Sequence, residues 1–243
     1  MQRRIRLAVE APATMLGYLR EQTDLDFPIA YRVLEDPEYA NYYRNRDNRE
    51  CILDNGFHEL REALPISELL RAAELVRPDY IVAPDRMDDP GWSAASFLLL
   101  QQELILRGHQ WKIAVNLCGN TAEERETYLR AVHHASMLCL PYDRPRMLWY
   151  LEQLPHWRRI HLLGVSELPE LLAWKVFLPF LDLSVDTGKP VKYGILGQDI
   201  SGLIWLRRSG LASKRLLELR ESITHEQLRM AIQNTEYLRS LLG

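Results

Sequence analysis

Cysteine is scarce in this chain. Cys51, Cys118 and Cys139 are the only three among 243 residues, far apart and each inside an apolar run. That excludes a disulfide framework and the closely spaced ligands of a structural zinc site. Reduced thiols in a cytosol are expected, with no metal and no cofactor needed for folding or activity. Long hydrophobic runs are missing too. No stretch approaches the roughly 20 apolar residues of a membrane helix, and the apolar run in Met1 to Val9 is too short for a signal peptide. No membrane contact is expected. Charge of one sign is also lacking: 30 Lys and Arg against 33 Asp and Glu leave a net charge of −3. Nucleic acid could therefore be held only by a local basic face. Repeats, low-complexity tracts and flexible linkers are absent, so residues 1–243 read as one domain. No Gly-x-Gly-x-x-Gly follows the first apolar run, which argues against a dinucleotide-binding open sheet.

What the chain does have is a figure used three times. Cys51-Ile52-Leu53 is a short apolar run that ends on Asp54, after which Asn55-Gly56 turns the backbone away. Tyr80-Ile81-Val82-Ala83-Pro84 ends on Asp85, and Leu181 to Val185 ends on Asp186. Asn and Gly tolerate positive φ and can close a strand where it meets a loop. A lone aspartate in such a place serves as a turn or helix N-cap residue. Three in equivalent places suggest one parallel sheet with its carboxylates gathered at one end.

Apolar strand-like runs and helical spacings alternate along the chain. Strands are expected at Ile5–Val9, Pro28–Leu34, Cys51–Asp54, Tyr80–Ala83, Lys112–Leu117, Ser136–Leu140, Arg159–Leu163 and the run ending at Asp186. Asp36 to Asn48 reads either as a short helix or long loop over the site or as a solvated connection. Thr121 with Glu124 carries a capping-box signature, and Ser166 can cap a later helix. Eight strand–helix units in about 250 residues predict a (β/α)8 barrel. A short insertion from Lys189 to Gly210 and a C-terminal helical region from Leu211 to Leu242 complete it.

In such a barrel, active sites lie at the C-terminal ends of the strands, where Asp54, Asp85 and Asp186 would converge. One carboxylate as nucleophile and another as acid or base can break a glycosidic C–O or C–N bond. A third can accept hydrogen bonds from the N–H groups of a purine-like base. The same three could instead hold a divalent cation.

The succession of motifs resembles the tRNA-guanine transglycosylase superfamily, and within it the phage and bacterial branch that inserts 7-deazaguanines into DNA. The resemblance spans roughly residues 50 to 190. It is carried by Leu53-Asp54-Asn55-Gly56-Phe57, Val82-Ala83-Pro84-Asp85, Cys118-Gly119-Asn120-Thr121-Ala122-Glu123-Glu124, His161-Leu162-Leu163-Gly164-Val165 and Ser184-Val185-Asp186-Thr187. It implies exchange of guanine in DNA for a preQ0-like 7-deazaguanine base through a covalent aspartyl-sugar intermediate, in a bacterial or phage-infected cytosol. Asp186 would be the nucleophile, Asp54 the acid/base and Asp85 the reader of the purine edge. Asn55 stands at a base-contacting serine, and Gly164 would line the base pocket. Gly119 belongs to the loop that resembles the family's Gln-Gly-Gly. The glutamine there is replaced by Cys118, or its role passes to Asn116. The family's zinc cluster has no counterpart, and the corresponding place holds the insertion with its basic residues. Lys189, Lys192, Arg207 and Arg208 are the proposed phosphate contacts. A tRNA-directed exchange enzyme, an N-glycosidase or nucleosidase, and an inactive nucleic-acid-binding barrel stand as alternatives.

Other residues carry plainer readings. His161, in an apolar run, reads as a satisfied core histidine, and His58 as a site contact or a helix cap. Arg144, Arg146, Arg158 and Arg159 read as a solvated surface.

Overall fold

Strands buried on both faces need no alternation of polar and apolar residues. The runs seen in the sequence are of this kind: every residue of Met137–Pro141 is buried. The computed structural model describes residues 4–142, 145–153, 157–165, 167–203, 213–217, 219 and 223–243. In it, seven strands form one parallel sheet. They are β1 (Arg6–Val9), β2 (Ile52–Leu53), β3 (Tyr80–Val82), β4 (Lys112–Asn116), β5 (Met137–Pro141), β6 (Arg159–Leu163) and β7 (Asp182–Thr187). The order across the sheet is β1-β7-β6-β5-β4-β3-β2. The last strand thus returns beside the first, with Leu7 opposite Val185.

Helices fill the connections. They are α1 (Ala13–Leu19), α2 (Ala30–Glu35), α3 (Pro37–Arg44), α4 (Phe57–Leu60), α5 (Ile66–Val76) and α6 (Pro90–Leu106), then α7 (Ala122–Ala131), α8 (Arg146–Gln153), α9 (Leu168–Trp174) and α10 (Lys189–Ile195). α11 (Ser213–Leu217) and α12 (His225–Leu242) close the chain. The capping box forms as expected, with Thr121 Oγ1 accepting from the Glu124 amide at 3.1 Å. Ser166, expected to cap the next helix, lies outside the described residues.

The sheet's pleat sorts its residues into two apolar clusters. Leu7, Leu53, Ile81, Val115, Leu138 and Val185 pack against the helices. Ala8, Ile52, Tyr80, Val82, Ala114, Met137 and Cys139 form a second cluster on the opposite face, with Leu25 and Phe27.

Three expectations are corrected. The second expected strand, Pro28–Leu34, is extended only at its beginning, because α2 starts at Ala30. Arg32 pairs with Asp36 at 2.7 Å, a helical i,i+4 spacing. The extended segment 24–29 nonetheless lies between β1 and β2. Asp24 and Leu25 donate backbone N–H groups to Leu7 O, and Asp26 and Ile29 bridge in parallel to Cys51 and Asp54. Seven strands and this segment therefore stand where eight strands were expected. Second, residues 37–44 are helical and buried through Tyr39 and Tyr43, away from the strand-end cavity described below. Third, the expected insertion after the last strand begins as an ordinary helix, α10, packed along α12.

At the N-terminal ends of the strands, Arg6 bridges Glu50 at 2.9 Å and Asp182 at 3.0 Å, and Arg159 binds the same two carboxylates. The opposite end is left for chemistry.

Candidate active site

A cavity of about 470 Å³ opens at the C-terminal ends of the strands. Each strand delivers residues to it in turn: Glu10 after β1, Asp54 and Asn55 after β2, Asp85 after β3 and Asn116 at the end of β4. Pro141 and Tyr142 follow from β5, Gly164 from β6, and Asp186 with Thr187 from β7. Arg61, His58, Lys189 and Lys192 also line it.

Asp186 is 3% exposed. Its Oδ1 accepts from His161 Nε2 at 3.0 Å and from the Gly164 amide at 3.2 Å. Burial raises its pKa to about 6, opposed by Glu10, the Gly164 amide and Arg146, so it is mostly ionised at neutral pH. The sheet register explains the meeting with His161. His161 lies opposite Ser184, and Asp186 follows two residues later on the same face.

Asp54 Oδ2 accepts from the Gly56 amide at 2.8 Å, and Gly56 adopts a φ of 77°, which the Asn-Gly turn predicted. Burial and the charges of Asp186, Asp85 and Glu10 outweigh that bond and lift Asp54 to about 7. Asp85 is pushed by burial to about 6, partly offset by two amide bonds. Asn55 Nδ2 and Asn116 Nδ2 both donate to its Oδ1 at 2.7 Å. Asp85 Oδ2 and Asn116 Oδ1 are buried acceptors without a hydrogen-bond partner. Buried acceptors of that kind cost free energy until a donor arrives, so the pair is suited to a ligand that brings N–H groups.

The residues expected to bind substrate divide into three sets. Asp85, Asn116 and Gly164 line the cavity with Asp54 and Asp186. Asn55 lines it too, but its polar atoms are engaged with Asp85, Ala83 O and the Phe57 amide, so it positions Asp85 and the turn. Cys118 and Gly119 do not line the cavity. Cys118 is buried with its Sγ on Asn116 O, and Gly119 donates to Met87 O. Gly164 has a φ of 65°, and a Cβ there would come within 2.7 Å of Tyr142 Cδ1, so the missing side chain admits the tyrosine ring.

Of the expected phosphate contacts, Lys189 lines the cavity, but Lys192 is only 8% exposed and lies near Glu10. Arg207 and Arg208 lie outside the described residues. Arg146 is not a surface residue. It is 1% exposed, pairs with Glu170 and donates to the carbonyls of Leu140, Leu163 and Gly164, tying together the ends of β5 and β6. Arg158 is exposed, Arg159 is partly buried in its ion pairs, and Arg144 is not among the described residues.

Sequence reasoning missed several cavity residues, among them Glu10, Glu59, Phe27 and Tyr142. Glu10 is held at about 7 by burial and by the Asp186 charge, and Glu59 at about 9 by burial and by Glu10, Asp54 and Asp186. Phe27 and Tyr142 supply aromatic walls. Glu10 carried a usable signal, since it ends the run Ile5–Val9 just as the aspartates end theirs.

No protein-family model and no curated protein matches this chain. Solved structures do resemble it. One is a phosphoribosyl anthranilate isomerase in complex with reduced 1-(o-carboxyphenylamino)-1-deoxyribulose 5-phosphate. It has a TM-score of 0.51 and 11% identity, over 96% of this chain and 99% of that one. N-acetylneuraminate lyase from Mycoplasma synoviae has a TM-score of 0.51 and 10% identity, over 99% and 98% of the two chains. Methylaspartate ammonia lyase from Citrobacter amalonaticus has a TM-score of 0.51 and 14% identity, over 75% of this chain and 53% of that one. At these identities the likeness concerns the fold: a curled parallel sheet surrounded by helices, as in TIM-barrel enzymes.

Proposed function

We propose that the chain is a base-exchange enzyme acting on DNA in the cytosol. Guanine leaves a nucleotide, and a 7-deazaguanine such as a preQ0-like base replaces it. The observation that carries this reading is the contrast between two strand-end aspartates in one cavity. Asp186 has one oxygen held by two donors, His161 and the Gly164 amide, whereas Asp54 is held, among the described residues, by the Gly56 amide alone and is pushed to about 7, where it can hold or release a proton. Pairs of carboxyl groups whose environments separate their roles are what acid–base and nucleophilic work at a glycosidic bond requires.

In the first step Asp186 attacks the sugar C1′ through Oδ2. The C1′–N9 bond breaks, its electron pair passes to the purine, and Asp54 supplies the proton that the departing base takes up. In the second step the incoming base gives its N9 proton to Asp54 and attacks C1′, and Asp186 leaves as a carboxylate. Asp85 Oδ2 and Asn116 Oδ1 are the acceptors for N–H groups on the purine edge. Lys189 at the rim is suited to a phosphate. In a duplex the target nucleotide must first leave the stack, at a cost of a few kcal/mol.

The test is exchange of labelled guanine into DNA and into tRNA, measured side by side, with Asp186→Asn as control. Label should enter DNA with the native chain and not with the variant, which should unfold cooperatively at no lower temperature than the native chain. Turnover by a variant shown to retain its asparagine would remove Asp186 as nucleophile. Label in tRNA alone would overturn the choice of polymer, and base release without incorporation would mark an N-glycosidase.

A further inference from the structure

We propose that His161 and Ser184 are positioning residues for Asp186. Ser184 fixes the His161 ring as its Nε2–H tautomer, and that N–H holds Asp186 Oδ1 so that the other oxygen is left to attack. The catalytic consequence rests on the base-exchange reading, whereas the contact itself does not.

The geometry assigns the direction of every bond. His161 Nδ1 lies 2.9 Å from Ser184 Oγ, and Nε2 lies 3.0 Å from Asp186 Oδ1. A neutral imidazole has one donor and one acceptor, and an ionised carboxylate only accepts. Nε2 therefore carries the hydrogen, and Nδ1 accepts from the serine hydroxyl. Both His161 and Ser184 are 0% exposed, so water does not compete for these bonds. The ring also stacks on Phe27, with centroids 4.8 Å apart and planes 16° from parallel, which opposes rotation.

Burial drives the His161 pKa down to about 3, aided by the charges of Arg6, Arg159 and Arg146 and opposed by Glu50. The ring stays neutral at working pH and does not line the cavity, so it neither shuttles protons nor touches substrate. The Gly164 amide is the second donor to the same oxygen. A nucleophile anchored through one oxygen keeps the other in a fixed direction, which reduces the reorganisation needed to reach the sugar carbon. Other charged groups act on Asp186 and its neighbours: Glu10 after β1, Asp54 after β2, Glu59 on α4, Arg146 on α8 and Lys192 on α10. Their presence makes direct observation of the ring and the carboxyl necessary.

Three variants test the proposal. His161→Leu removes the donor, His161→Gln keeps an amide donor near the Nε2 position, and Ser184→Ala releases the tautomer. In 15N-histidine-labelled native protein, His161 should appear neutral with the proton on Nε2 at pH 7 to 8, where Asp186 is ionised. The Asp186 carboxyl, followed by 13C NMR, should titrate roughly one unit higher in His161→Leu than in the native chain or in His161→Gln. In base exchange, His161→Leu should lose kcat by about tenfold or more, the worth of one hydrogen bond to a charged group, while KM for the base is unchanged. His161→Gln should recover most of that loss. If His161→Leu does not fold, Ser184→Ala decides, with a mixed tautomer signal and a several-fold lower kcat expected. A cationic or Nδ1–H ring in the native protein would overturn the proposal. So would an unshifted Asp186 titration in His161→Leu, or equal loss of kcat in the leucine and glutamine variants. If the native chain exchanges no base, the functional reading fails, and the tautomer and carboxyl titration still decide the contact.

Discussion

Replacing Glu10 by glutamine should change how stability depends on pH. In the folded chain, burial and then the Asp186 charge hold this carboxyl at about 7, against an ordinary value of 4.5. Between those two pH values the folded protein keeps a proton that the unfolded chain has released. Stability falls as pH rises wherever the folded state binds more protons. The Glu10 contribution is therefore intact below pH 4.5, shrinks through the interval and is lost above about pH 7. At about 1.4 kcal/mol per pKa unit, the shift corresponds to a ceiling of about 3 kcal/mol. Asp186 shares in the interaction, so the observed change should be somewhat smaller. Glutamine matches the volume, does not titrate and can donate to Asp186. Urea unfolding of the two proteins at pH 5 should give free energies within about 1 kcal/mol, and at pH 8 the variant should be more stable by about 2 kcal/mol. Asp54 and Glu59 are raised partly by the Glu10 charge, so their values should fall in the variant and add to its gain at high pH. Parallel pH profiles for the two would refute the placement of Glu10 as a half-buried partner of Asp186 in the cavity.

Two substitutions probe the frame around the site. Arg146→Met removes a buried guanidinium that satisfies Glu170 and three carbonyls, and should cost about 3–5 kcal/mol in denaturant unfolding. Gly164→Ala should cost about 1–3 kcal/mol, because it places a side chain at positive φ. It should also weaken base binding in calorimetry, because Tyr142 must move from the cavity wall.

The strands were legible because parallel strands buried on both faces are written as unbroken apolar runs, and all seven sheet strands end within about two residues of their expected limits. Pro28–Leu34 misled because Ile29, Tyr31 and Val33 fit a strand period, while the deciding helical contact, Arg32 with Asp36, depends on charge. Asp54, Asp85 and Asp186 do converge on one cavity. Glu10 escaped because it closes its run as a glutamate, outside the aspartate figure that recurs at Asp54, Asp85 and Asp186. His161 could not be placed from its neighbours in sequence, because its partners are 23 and 25 residues away and meet it through strand register. Arg146 reads as a surface residue in sequence, and only the folded carbonyl cluster beneath it explains its burial.

The pairing of β1 with β7 has a consequence for synthesis. Leu7 finds its partner in Val185, 178 positions later (185 − 7). At the usual ribosomal pace of about 5–20 residues per second, the first strand waits roughly 10–35 seconds for the neighbour that flanks it in the finished sheet. Glu10 and Asp186, carried on those same two strands, are brought together in that closing step. A nascent chain can thus assemble the Asp54–Asp85–Asn116 side while still lacking Asp186, and the strand-end cavity is complete only when β7 pairs with β1.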